Sequence, residues 1–269
     1  MFNFILIAAA IIIFLVIARK PRPVADRNGN SFNNSSILTK ETDKQQLIVA
    51  TYNVQTGKNL QGQRNIHRAA EVVKEVDIVG IQEVYAKSWM NRFGLGICQT
   101  QALSVPGVFT WLFSPTRLRW FRENRGNAIL SKLPVKSWQT IALPDQTGIR
   151  FRNLTTINFE FNKCDCYFIN THLHTRQGKT EQLKVALREF DNYQTAILVG
   201  DFNLSLEHPE LQKYLAKSDA VDVISTSKTI SNEERIDWII TRGWKVINVT
   251  QVDKGISDHP YYQATLELK

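Results

Sequence analysis

Asp201 and Asn203 stand two residues apart in the run VGDFNL (199–204), directly after the apolar stretch Ala196–Val199. The apolar stretch reads as a short strand buried on both faces. Gly200 breaks it, and in extended chain a spacing of two puts the carboxylate and the carboxamide on the same side. Polar groups gathered where strands of an α/β sheet end are placed to bind a ligand or do chemistry.

Other runs repeat the pattern. Leu47–Tyr52 leads into Asn53, Asp77–Gln82 into Glu83, and Cys166–Thr171 into His172. Asp237 lies in the apolar run Ile236–Ile240, and Asp258-His259 precede the final run Tyr261–Leu268. An Asn or Asp after a single strand is most often a turn residue. Turn chemistry alone does not account for so many strand ends of this kind in one chain.

Taken in order, Asn53 in YNVQTG, Glu83 in IQEV, the segment GNAILSK, His172 in NTHLHT, Asp201 and Asn203 in GDFN, Asp237 in IDWI and Asp258-His259 in SDHP resemble the endonuclease/exonuclease/phosphatase (DNase I-like) superfamily. The resemblance runs over residues 46–269. It implies a four-layer α/β sandwich, two mixed β-sheets packed face to face and flanked by helices. It also implies divalent-metal-dependent hydrolysis of phosphoesters.

Such a reaction must activate a water, neutralise charge on the phosphoryl oxygens and stabilise the leaving oxygen. Mg²⁺ (or Mn²⁺) suits a site of one or two carboxylates with other oxygen donors. Glu83 is the best candidate ligand, assisted by Asn53, with Asp258 as a further metal or water contact. No Cys/His cluster has zinc spacing, which disfavours zinc. By resemblance, His259 is general base or transition-state donor and Asp237 orients its imidazole. Asp201 and Asn203 are expected to position water and phosphoryl oxygens, and His172 to contact the phosphate. Abasic-site endonucleases of the superfamily have an acid where this chain has Gln55, which speaks against that subgroup. No acidic partner for His172 is visible in the sequence beyond the weak suggestion of Glu123.

The elements that must hold these groups follow from pattern. Arg64–Glu75 and Thr180–Phe190 carry apolar residues at three- and four-residue spacing and predict helices. The length after the N-terminus suits one α/β core. The organisation read from sequence is a membrane anchor over 1–20, a flexible polar linker over 21–45 and a catalytic domain over 46–269. Met1–Ala18 is apolar except for Asn3 and as a helix would span about 27 Å, close to a bilayer core. The rival reading is a cleaved signal peptide, but no basic n-region precedes the run and no small-x-small site follows it. Arg19, Lys20 and Arg22 follow the span, which places the catalytic domain of a single-pass protein on the cytoplasmic side.

The three cysteines, with Cys164 and Cys166 two apart, read as small buried hydrophobes rather than a disulfide framework. The formal charge of +8 owes much to residues 19–27, and what remains favours anionic partners only in general. In Phe109–Arg125, Trp111, Phe113, Trp120 and Phe121 interleave with Arg117, Arg119, Arg122 and Arg125. That suits single-stranded nucleic acid, a loop in a lipid headgroup region, or merely a partly buried strand with an arginine turn. The expected substrate is a lipid phosphate or another membrane-proximal phosphoester. The alternatives are a nuclease acting on nucleic acid and a phosphate-binding domain without activity. No obligate protein partner is evident.

Overall fold

The computed structural model describes residues 2–20, 22–30, 32, 44–86, 98–118, 124–146, 148 and 150–269. Two seven-stranded sheets dominate it. In the first, the order is β1 (Arg22–Pro23), β5 (Thr110–Leu118), β6 (Asn124–Ser131), β4 (Ile78–Ala86), β3 (Leu47–Asn53), β14 (Tyr261–Leu268) and β13 (Trp244–Val252). In the second it is β11 (Val221–Asp222), β12 (Asp237–Arg242), β10 (Ala196–Asp201), β9 (Cys164–His172), β8 (Asn153–Phe161), β7 (Val135–Ala142) and β2 (Arg27–Gly29). Both sheets are mixed: β3 pairs parallel with β4, and β9 with β10, among antiparallel neighbours.

Side-chain alternation builds the layers. Leu47, Val49 and Ile78 from the first sheet meet Phe168, Ile197, Val199 and Ile239 from the second in one buried cluster between the sheets. Residues of opposite parity point outward. Ala50, Tyr52, Val79 and Ile81 pack on α2 (Ile66–Val73) and α3 (Gln99–Leu103). Ile169, Leu198, Trp238 and Ile240 pack on α5 (Lys179–Asp191) and α6 (Pro209–Lys217). The result is the expected four-layer arrangement of helices, sheet, sheet and helices. A polar peg fixes the sheets to each other. Asn170 on β9 donates to the carbonyls of Ile81 (3.2 Å) and Ala128 (2.9 Å) and accepts from Gln82 Nε2 (2.7 Å).

The stretch expected as a linker is partly strand. β1 adds to the edge of the first sheet and β2 to that of the second, and Asp26 Oδ1 accepts the Ala142 N–H (2.7 Å) between them. Pro23 lacks an N–H, so an edge position suits it. At the N-terminus α1 covers Phe2–Arg19, and the side chains of residues 5–16 are all exposed. Among the described residues no helix is long and apolar enough to cross a membrane. In the arginine–aromatic segment, Trp111 and Phe113 lie on β5 against the outer helical layer. Arg119, Trp120, Phe121, Arg122 and Glu123 fall outside the described residues. All three cysteines are free; Cys98 and Cys166 are buried, whereas Cys164, expected to be buried, is exposed.

Candidate active site

The parity that packs the core also aims the polar residues. On β10, Ile197 and Val199 face the other sheet, and Asp201 follows in the same phase at the strand end. On β9, Cys166 and Phe168 lead to Asn170 and His172, and on β12 Asp237 shares the face of Ile239. The register then sets His172 beside Asp201 and Asp201 beside Asp237, one residue on each of three adjacent strands. From the opposing sheet Asn53 ends β3 on the same inner face, and His259 arrives just before β14. Hydrophobic burial in the middle of the sandwich therefore concentrates the polar groups at one end of it.

There they form one network. Asn53 Nδ2 donates to Asp201 Oδ2 (2.9 Å) across the two sheets and lies 3.4 Å from His259 Nε2. Asp237 Oδ2 accepts from His259 Nδ1 (2.8 Å). Asp201 Oδ1 accepts the Asn203 N–H (2.9 Å), and Asp201 Oδ2 lies 3.3 Å from His172 Nε2 and 3.7 Å from His259 Nε2. Burial, then the neighbouring Asp237 carboxylate, pushes Asp201 up to about 7. Burial pulls His259 down, but its bond to Asp237 and the charges of Asp237, Asp201 and Asp258 override this and raise it to about 9. The carboxylates around His259 thus favour the protonated ring.

His172 is the opposite case. It is buried, and its Nδ1 lies 3.4 Å from Arg152 Nη1. A guanidinium only donates, so Nδ1 accepts and the neutral ring carries its proton on Nε2, toward Asp201. Burial and then Arg152 lower its pKa well below the usual range. The acidic neighbour of His172 is Asp201, at Nε2, with the Arg152 cation at Nδ1; Glu123, the partner suggested by the sequence, lies outside the described residues.

Glu83 reaches the site through a backbone irregularity. The pairing of β4 with β6 shifts between Ile81 and Val84, and Glu83 sits in that bulge at φ 59°. The left-handed conformation re-aims a side chain that regular alternation would send outward. Its carboxylate is paired with Arg125 on β6. Arg152, just before β8, feels the charges of Glu83 and Asp201, and burial lowers it to about 10, so it stays charged. Sequence reasoning placed Arg125 only in the arginine–aromatic segment and missed Arg152. The available signal was position: β8 runs antiparallel to β9, so a residue just ahead of β8 must lie beside His172.

The remaining expected residues lie close by. Asn203, at φ 52°, turns its Nδ2 to the Leu173 carbonyl (3.0 Å), and Asp258 Oδ1 lies 3.2 Å from Ser257 Oγ. His174, adjacent in phase to His172, accepts the Arg176 N–H at Nδ1 (2.9 Å) and acts as a local turn residue. Among the described residues, Asp201, Asp237 and His259 are the group of possible metal ligands whose donor atoms all lie within 4.8 Å of one another. Asp237 Oδ1 is buried there without a partner. Buried carboxylate oxygens with an unmet acceptor fit a hard divalent cation, so the donor chemistry agrees with the cofactor class expected from sequence. The Asp237–His259 bond competes with that use. Glu83 is a second oxygen donor at the same end, and the Asn53 Oδ1 accepts the Gln55 N–H (3.0 Å). A cleft of about 440 Å³ adjoins the site, lined by Arg235, Asp237, Asp258, His259 and Tyr262 among others. A larger one of about 640 Å³ lies between α5 and α6 on the outer layer and contains none of these groups.

The sequence profile of the Endonuclease/Exonuclease/phosphatase family matches residues 50–259, and the chain belongs to that family. Comparison with curated proteins gives no significant match. Among solved structures, an endonuclease/exonuclease/phosphatase from Beutenbergia cavernae aligns at TM-score 0.66 and 20% identity, over 84% of this chain and 72% of that one. A mannosyl-6-phosphatase from Bacteroides thetaiotaomicron aligns at 0.61 and 16%, over 82% and 99%. TDP2 from D. rerio, solved with a single-strand DNA product, aligns at 0.60 and 15%, over 83% and 100%. At these identities the likeness is one of fold.

Proposed function

We propose that this protein is a membrane-anchored, divalent-metal-dependent phosphoester hydrolase of the phosphodiesterase type, acting on a lipid phosphate or another membrane-proximal substrate. The observation that carries the catalytic reading is the 2.8 Å Asp237–His259 pair, set against the Asn53–Asp201–His172 network at the ends of opposed sheets. Asp237 holds the ring through Nδ1, which leaves Nε2–H, on the side of Asn53 and Asp201, to donate to a phosphoryl oxygen as charge develops. Asn53 and His172 fix the Asp201 carboxylate, which accepts a proton from the attacking water. Asn203 closes the other side, and Arg125 and Arg152 add positive charge. Glu83, Asn53 and Asp258 would hold Mg²⁺ (or Mn²⁺), which supplies Lewis-acid neutralisation of the phosphoryl oxygens. The trio of Asp201, Asp237 and His259 is read instead as a proton-bearing catalytic cluster, since a metal on His259 Nε2 would take the position of the proton that the ring donates.

The anchor reading rests on α1. Ile5, Leu6, Ile7 and Ile11 through Val16 are at least 43% exposed. A continuous apolar exposure of that extent calls for a covering phase, and the cations at its end fit an uncleaved single-pass anchor with the domain on the cytoplasmic side. The test is a substrate panel for the full chain in detergent: sphingomyelin, phosphoinositides, plasmid DNA, RNA and bis(p-nitrophenyl) phosphate. Turnover of a lipid supports the reading. Plasmid nicking without lipid turnover makes the protein a nuclease, and no turnover of any phosphoester makes it a binding domain.

A further inference from the structure

The residues that follow α1 do not leave it at an arbitrary point on the domain. α1 ends at Arg19, and Arg22 already pairs with Leu118 at the end of β5. β5 runs antiparallel to β6, and β6 antiparallel to β4, so the end of β5 lies at the same end of the sheet as Glu83 and Asn53. Three residues of extended chain span about 10 Å. The helix is therefore tied, on a short leash, to the end of the sandwich that carries the candidate site. From there residues 22–29 run along the edges of both sheets, which keeps the leash from lengthening.

A second observation agrees. Outside α1, the exposed large apolar side chains among the described residues are Leu60, Ile247 and Val252. Leu60 lies in the loop that directly follows β3, and Val252 pairs with Tyr261 at the start of β14. Both are at the site end. Exposed Arg64 stands near Leu60 in sequence, and exposed Asp253 and Lys254 follow Val252. Apolar tips beside charged and polar residues at one end are what a surface resting in the headgroup zone of a bilayer requires.

We propose that the strand-end face carrying the site lies against the same bilayer that holds α1, so that the site meets phospholipid headgroups of that membrane directly. This rests on the anchored hydrolase reading, but it is tested separately from activity. The full chain is inserted into vesicles of phosphatidylcholine and phosphatidylglycerol that contain a rhodamine lipid. A donor dye is placed on the native exposed Cys164, or on a cysteine introduced by Leu60→Cys or Val252→Cys with Cys164→Ser. Cys164 opens β9, whose other end is His172, so it lies about 26 Å from the site end at 3.3 Å per residue. Energy transfer to the lipid should be several-fold stronger from positions 60 and 252 than from 164. Equal transfer from both ends, stronger transfer from 164, or a chain that does not float with the vesicles overturns the proposal.

A flexible Gly-Ser insertion of about twelve residues after Lys20 provides the functional arm. It should reduce turnover of vesicle lipid several-fold and leave bis(p-nitrophenyl) phosphate hydrolysis unchanged. Lipid turnover unaffected by the longer leash counts against the proposal. Absence of all turnover in the unmodified chain overturns the hydrolase reading instead, while the energy-transfer result still decides which face meets the membrane.

Discussion

Asp237 sets the charge of His259. A buried imidazole on its own would titrate low; bonded to Asp237 it titrates at about 9. Asp237→Asn keeps the size of the side chain and removes the charge. The His259 ring resonances should then titrate below that value, and turnover should fall by roughly 10²–10⁴, the usual range for a general acid–base group. An unchanged titration would mean that some other group charges the ring. His172 supplies the second prediction. Its folded pKa lies below the unfolded value of about 6.5, so the unfolded chain binds the proton more readily. Its contribution to stability is present above about 6.5 and lost as pH falls. Asp201, raised to about 7, acts in the opposite sense over the same window, so the His172 contribution is read as a difference: relative to His172→Asn, the urea midpoint of the wild type should fall as pH goes from neutral to mildly acidic. These residues were legible in the sequence because each stands in a short motif with a polar side chain at the end of an apolar run. Arg152 was not, since an arginine before an alternating strand has no local mark. Its role depends on which strand lies next to it.

At the scale of elements, the site depends on how the strands end. Gly200 lies at φ 146°, and a Cβ there would sit 1.9 Å from the Thr171 carbonyl oxygen on the neighbouring strand. Gly200→Ala must push β9 and β10 apart just where His172 and Asp201 are in register. It should destabilise the protein by about 2–4 kcal/mol, read by denaturant unfolding, with a further loss of activity in the molecules that remain folded. Wild-type stability in this variant would show that the strand end has slack. The strands themselves were legible, because Leu47–Asn53, Ala196–Asp201 and Tyr261–Leu268 have apolar runs of strand length. The bulge at Glu83 was not, since its left-handed residue is a glutamate and nothing in IQEV departs from strand composition. β1 and β2 were equally hidden: two and three residues, mostly polar, hold their place through edge pairing and the Asp26 bond to Ala142 rather than through any pattern of their own.

At the scale of the whole molecule, two sheets with their apolar faces together leave one end where the inner-face positions are polar on both sides. Asn53 and Glu83 come from one sheet, and His172, Asp201 and Asp237 from the other, so the site exists only when the sandwich is closed. The order of the motifs along the chain revealed that architecture, while the contact of Asn53 with Asp201 across 148 residues needed the structure. Metal-dependent phosphoester hydrolysis would need this whole assembled site. The most direct measurement is bis(p-nitrophenyl) phosphate turnover by the full chain in detergent, after chelation and after Mg²⁺ or Mn²⁺ is returned, alongside His259→Ala. Turnover should be abolished by chelation, restored by the cation and reduced by at least about 10² in the variant. Turnover that survives chelation, or that His259→Ala leaves intact, would contradict metal-dependent hydrolysis at this site.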